Sequence, residues 1–161
     1  MVLEQVIPLT TIEGHKYLIQ LSPFDLIAYP IEITIDIVNI VILLVDEIEN
    51  QPINNASTLF QMAKIIQKYL DINNVVLYCY CDNKIIKRNK NKLHLLPQDY
   101  RSQLFSSLFS KNNALKEYLN EVIYIPDEKN GDHYIHLISR IENKYHIDAI
   151  ATELDKFNDK G

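Results

Sequence analysis

Apolar and polar residues alternate over positions 31–37, where Ile31, Ile33, Ile35 and Ile37 are separated by Glu32, Thr34 and Asp36. A period of two puts alternate side chains on opposite sides of an extended chain. The run therefore predicts a strand with one buried and one wetter face, antiparallel or close to a sheet edge. Residues 38–45 are more continuously apolar and rich in β-branched side chains. They predict a second, more buried strand, or an extension of the first past a bulge near Asn39. Residues 16–21, between Gly14 and Ser22-Pro23, and residues 75–81 are further strand candidates. Residues 1–14 read as a flexible lead-in or a short edge strand.

The spacing changes at Leu59, Met62, Ala63, Ile66 and Leu70, which share one helical stripe and predict a helix over 57–71, with Ser57 as a candidate cap. A second helix is predicted over 97–109. Pro97 suits its first turn, and Asp99 meets the positive end of the helix dipole. Tyr100, Leu104 and Leu108 form one stripe of that helix, with Arg101, Phe105 and Phe109 beside it. Lys111-Asn112-Asn113 is read as an interruption, and 114–119 as a shorter helical turn or continuation. Strands are then predicted over 122–125 and 133–141, joined as a hairpin by a long turn containing Gly131. Ile147, Ile150, Ala151, Leu154 and Phe157 predict a terminal helix. The whole reads as one domain over 1–161 of α+β or α/β class, a mixed, largely antiparallel sheet packed against about three helices.

Composition narrows the functional classes. The chain has 161 residues and a formal net charge of -5. That balance argues against a surface that coats nucleic acid or anionic lipid throughout. Its nearest approach to a membrane span, residues 26–45, is interrupted by Pro30, Glu32, Asp36 and Asn39. No basic region followed by an apolar run opens the chain, and the only two cysteines, Cys79 and Cys81, would share a strand face. A soluble protein in the reducing cytoplasm is the expectation.

The charge distribution is uneven. Lys84, Lys87, Arg88, Lys90 and Lys92 place five positive charges in nine residues with no acid among them, so the remainder of the chain sums to -10 (-5 minus +5). This loop is the leading candidate for anion or nucleic-acid contact, with Tyr78, Tyr80, Tyr100 or Phe105 as stacking surfaces. The plainer reading is a solvated spacer or protein-contact surface. Asp82 follows the presumed central strand, where it is read as a turn cap or an ion-pair partner of Arg101.

Other chemistry is sparse. The Cys79 and Cys81 pair supplies at most two soft ligands, whereas structural zinc takes four, and nothing in the sequence gathers His94, His133, His136 or His146 around them. On a strand, His133 and His136 would point to opposite faces. A hydrolase or nuclease would have to use Asp82, His94 or acids such as Asp46, Glu47, Glu49, Asp127 and Glu128. No glycine-rich phosphate loop, serine nucleophile elbow or paired-histidine metallopeptidase motif is present. No catalytic, cofactor or metal residues are therefore expected.

The strand closing on Cys81-Asp82-Asn83, followed by Arg101-x-x-Leu104-Phe105-x-x-Leu108-Phe109, is similar to a family of small uncharacterised bacterial proteins of Bacteroidetes type. The resemblance covers about two thirds of the chain, the middle portion most distinctively. It implies a compact α/β domain with no established reaction, and no catalytic residue is carried across. Leu108-Phe109 stands where that family has an aromatic-rich helix end, and the preceding loop is richer in lysine. The leading functional expectation is an interaction or accessory protein that binds a protein partner or forms a homo-oligomer, through the hairpin edge or the 97–109 helix. The alternative is nucleic-acid binding through 84–92.

Overall fold

A computed structural model describes residues 2–24, 33–82, 92–111 and 117–158. Among them six strands form one mixed sheet: β1 (Gln5–Thr10), β2 (Lys16–Pro23), β3 (Asp36–Asp46), β4 (Val75–Cys81), β5 (Tyr118–Ile125) and β6 (His133–Arg140). Their order is β1-β2-β3-β4-β6-β5. β3 and β4 run parallel, and every other neighbouring pair is antiparallel. Three α-helices complete the fold: α1 (Ala56–Ile72), α2 (Pro97–Lys111) and α3 (Lys144–Asn158). No described helix is long and apolar enough to cross a membrane.

Strand alternation divides the core into two layers. Tyr17, Ile19 and Leu21 of β2, Val38 and Ile40 of β3, and Val75, Leu77, Cys79 and Cys81 of β4 meet Leu59, Met62, Ala63, Ile66 and Leu70 of α1. Phe105 and Leu108 of α2 close the same layer. On the opposite face Val76, Ile123, Ile135 and Leu137 meet Ile147, Ile150 and Leu154 of α3. The periodicities of 2 and 3.6 in the sequence are the imprint of these two buried faces.

Several local expectations are corrected. The alternating run does not form a strand of its own. Ile31 lies outside the described residues, and Ile33 and Ile35 precede β3 while packing into the α3-side core. β3 then runs unbroken through Asn39, and the register slips instead at its far end, where consecutive Lys16 and Tyr17 of β2 pair with Asp46 and Leu44 and leave Val45 of β3 as the extra residue. β3 is an interior strand, flanked by β2 and β4. Tyr118 and Leu119 belong to β5, not to a helical turn, because each pairs with β6 across from Arg140 and Ser139. Of the two readings of the amino terminus, residues 5–10 form an edge strand.

The cap of α1 is Asn55, not Ser57: its side chain accepts from the Thr58 amide at 2.9 Å, satisfying a donor the helix cannot. Asn54, at φ 55°, makes the left-handed turn into that cap, a conformation asparagine tolerates better than most residues. The other end of α1 is held by Arg140, whose Nε donates to the Leu70 carbonyl at 2.6 Å and whose Nη2 donates to that of Asp71 at 2.9 Å. This fastens the helix to the far half of the sheet.

Candidate functional site

The end of β4 gathers most of the polar chemistry, and strand alternation sorts it onto two faces. Cys79 and Cys81 point toward α2, in register with His136 and Tyr134 of β6. Arg101 of α2 reaches the same end. Its Nη1 donates to the Asp82 carbonyl at 2.9 Å and lies 3.3 Å from the Asp82 carboxylate.

Beneath α2 is a buried polar cluster. His136 is fully buried, with Nδ1 3.0 Å from Asn120 Oδ1 and Nε2 2.9 Å from Ser102 Oγ. Nδ1 donates to the Asn120 oxygen, and Nε2 shares one hydrogen bond with the Ser102 hydroxyl. The Phe105 ring lies 5.5 Å from the imidazole, centroid to centroid. Cys81 borders this cluster. Its thiol is pulled down to about 6, chiefly because Cys79 hydrogen-bonds to it and secondarily through His136 and Arg101, while Cys79 is pushed up correspondingly. The two sulfurs are free thiols.

The serine, imidazole and amide stand in the linear order of an acyl-transfer triad. Accessibility points elsewhere: Ser102 is 7 % exposed, in the middle of a helix packed on the sheet, and His136 has no exposed surface. A nucleophile needs a substrate within reach. What the geometry achieves is a fully bonded polar peg between α2, β5 and β6. Buried imidazoles are tolerated when both nitrogens are paired.

On the other face, Tyr80, His133 and Asp127 form an outer relay. His133 Nε2 lies 2.9 Å from Asp127 Oδ2, and Nδ1 lies 2.7 Å from the Tyr80 hydroxyl. With Nε2–H donated to the carboxylate, Nδ1 is the acceptor for the phenol. The Asp127 carboxylate also accepts from the amides of Lys129 and Asn130. His133 first, and then these amides, hold its carboxyl far below the usual range. Burial, reinforced by Asp82, raises the Tyr80 phenol. A raised phenol is the opposite of an activated nucleophile, so the relay serves to pin the hairpin turn to β4.

Of the sequence-derived candidates, Lys84, Lys87, Arg88 and Lys90 lie outside the described residues. Lys92 opens a short turn in which its carbonyl accepts from the Leu95 amide at 3.1 Å. His94 is exposed. His133 and His136 join separate networks, one at the relay and one beneath α2. Among the described residues, no group of three or more His, Cys, Asp or Glu is arranged to hold a metal ion. No spacing in the sequence singles out Ser102, Asn120 or the link of Tyr80 to Asp127 through His133.

The β1–β3 half of the sheet presents exposed apolar side chains. On β1–β3 the apolar side chains opposite α1 include Val6, Pro8, Leu18, Val41, Leu43 and Val45, with Gln20 among them and Thr10, Lys16, Ser22 and Asn39 toward the ends of the same face. Cross-strand pairing aligns Pro8 with Leu18 and Leu18 with Leu43, and places Gln20 between Val6 and Val41. Val6 and Val45 are 55 % and 52 % exposed, and Val41 and Leu43 are also open. α3 packs on β5 and β6 and leaves this half of the sheet without a described helix. By contrast, the apolar face of α2 is consumed in the core through Tyr100, Phe105 and Leu108.

No protein-family model, curated protein or solved structure matches this chain.

Proposed function

We propose that the protein is an interaction module whose open β1–β3 face receives an amphipathic helix of a partner protein. The observation that carries this reading is the apolar row of Val6, Pro8, Leu18, Val41, Leu43 and Val45 on a sheet whose other side takes α1. An apolar sheet face is stabilised by a covering layer, and contiguous exposed patches of this kind mark interaction sites. The layer opposite α1 is the place such a helix would occupy. Free, buried thiols at Cys79 and Cys81 accord with work in a reducing cytoplasm. The apolar face of the 97–109 segment faces inward, so the docking surface is assigned to β1–β3.

The experiment is native mass spectrometry of the complex recovered at low salt from its own host, comparing the wild type with the Val41→Ser/Leu43→Ser/Val45→Ser variant. A stoichiometric protein adduct held by the wild type and lost by the folded variant supports the assignment. An adduct retained by the variant refutes it.

A second reading, nucleic-acid binding through residues 84–92, rests on their five uncompensated charges. It requires an adduct that disappears on nuclease treatment and whose affinity falls steeply with salt.

A further inference from the structure

The sheet ends differ in how they are finished. β1, at one edge, is six residues long and carries Pro8 in its interior, a residue that cannot donate to a neighbouring strand. β5, at the other edge, is eight residues long, contains no proline, and pairs with β6 one-to-one without a bulge. Its sequence, YLNEVIYI, contains a single charge, Glu121. Along an edge strand, alternate residues present amide and carbonyl groups outward, and the partner that satisfies such a row is another extended backbone. Val122 and Tyr124 are also exposed there. Among the described residues, neither a proline nor a bulge interrupts β5, and Glu121 is its only charge.

We infer that β5 pairs antiparallel with β5 of a second copy of this chain, forming a homodimer with a continuous sheet. This contact is separate from the β1–β3 face and stands whether or not that face binds a partner.

Symmetry selects the register. A two-fold axis perpendicular to the sheet keeps each face on its own side, so opposing residues must have the same parity and the axis must pass through a residue. The two residues nearest the middle of the strand are Glu121 and Val122. Centring on Glu121 would set two carboxylates directly opposite, which is destabilising. Centring on Val122 pairs valine with valine, Glu121 with Ile123, Asn120 with Tyr124 and Leu119 with Ile125.

The flanking helices support the same arrangement. α3 packs comparably on β5 and β6, so it lies over the seam between them. With strands about 4.8 Å apart, the two copies of α3 would stand about 10 Å from each other across the axis. That is the interaxial distance at which helices pack, about 8–10 Å. At that separation the two copies of α3 would be close enough to pack against each other. Lys144, at the start of α3, is drawn up in pKa by Asp148 and to a lesser degree by Glu121, so a cation already stands near the one charge of β5.

The test is sedimentation velocity across the micromolar range on the wild type, Val122→Lys, Val122→Glu and an equimolar mixture of the two variants, with circular dichroism confirming that each is folded. Val122 is exposed in the isolated chain, so both substitutions suit the monomer. The inference expects twice the 18.8 kDa chain mass for the wild type. It expects monomer for each variant alone and recovery of the dimer in the mixture, where lysine meets glutamate at the axis. A wild-type monomer throughout overturns the proposal, as does a dimer that persists in the separate variants. Monomeric variants whose mixture stays monomeric overturn the Val122-centred register.

Discussion

The turn between β5 and β6 offers a quantitative test of the structure. Gly131 has φ +83°, and a Cβ built there would lie 2.4 Å from Gln98 Nε2 and 2.9 Å from Leu96 Cδ1. Gln98 is almost fully buried, and its Nε2 donates to the Asn130 carbonyl at 3.2 Å. In Gly131→Ala the left-handed backbone costs about 1–2 kcal/mol. Displacing Gln98 forfeits its hydrogen bond, about 0.5–1.5 kcal/mol more. The expected loss is about 1.5–3.5 kcal/mol, read as a lower urea midpoint with an unchanged slope. For a chain of this size that lowers Tm by about 3–14 °C. The double-mutant cycle with Gln98→Ala separates the two contributions. With the amide gone, Gly131→Ala should retain only its backbone cost, leaving a coupling of about 1 kcal/mol. A Gly131→Ala variant within about 0.5 kcal/mol of the wild type would refute the reasoning, as would an equal loss in both backgrounds.

The same turn carries a pH signature. The Asp127 carboxyl is held below its ordinary value by His133 and the turn amides, so its contribution to stability is fully present above the unfolded carboxylate value of about 4 and is lost as pH falls below it. Urea midpoints for the wild type and Asp127→Asn should therefore differ at pH 6 and converge under acid; a difference independent of pH would show that His133 and the amides do not act on the charge. Cys81, pulled down to about 6, should give a thiolate absorbance at 240 nm that rises with a midpoint near that pH and is missing from Cys81→Ser. Its stabilising contribution is present above the unfolded thiol value of about 8.5 and declines as pH falls through the folded value. No absorbance change below pH 8 would mean that Cys79 and His136 do not stabilise the anion.

The two periodicities made much of the architecture legible. Leu59, Met62, Ala63, Ile66 and Leu70 form a helical face because that face is buried against strands, and local pattern records burial directly. The 31–37 alternation misled because Ile33 and Ile35 bury themselves against the α3-side core without joining a ladder, so burial and pairing parted. Tyr118 and Leu119 gave no local sign of strand, since β5 takes its form from pairing with β6. The polar peg was harder still. Ser102, Asn120 and His136 are brought together from α2, β5 and β6, and no spacing in the chain encodes that meeting. Strand parity did separate His133 from His136, and parity is a local property. The open β1–β3 face lay hidden because Val41, Leu43 and Val45 extend the apolar run of β3 on both of its faces. Sequence alone does not tell a covered valine from a bare one.

The parallel seam has a consequence for how the molecule would handle two ligands. β3 and β4 pair only through residues 36–39 against 75–78, although β3 continues to Asp46. The sheet is thus two half-sheets, β1–β3 and β4–β6, riveted by a short ladder and by α1 lying across both. The open apolar face belongs wholly to the first half and the β5 edge wholly to the second. A helix docked on one and a subunit joined at the other would share no residue and no strand, while α1 spans both halves and Ile37 of β3 lies in one core with Ile123 of β5. Any coupling between them would have to pass through α1 or that shared core. Such a molecule would work as an adaptor with two spatially separate sockets, and dimerisation would raise the avidity for a multivalent partner.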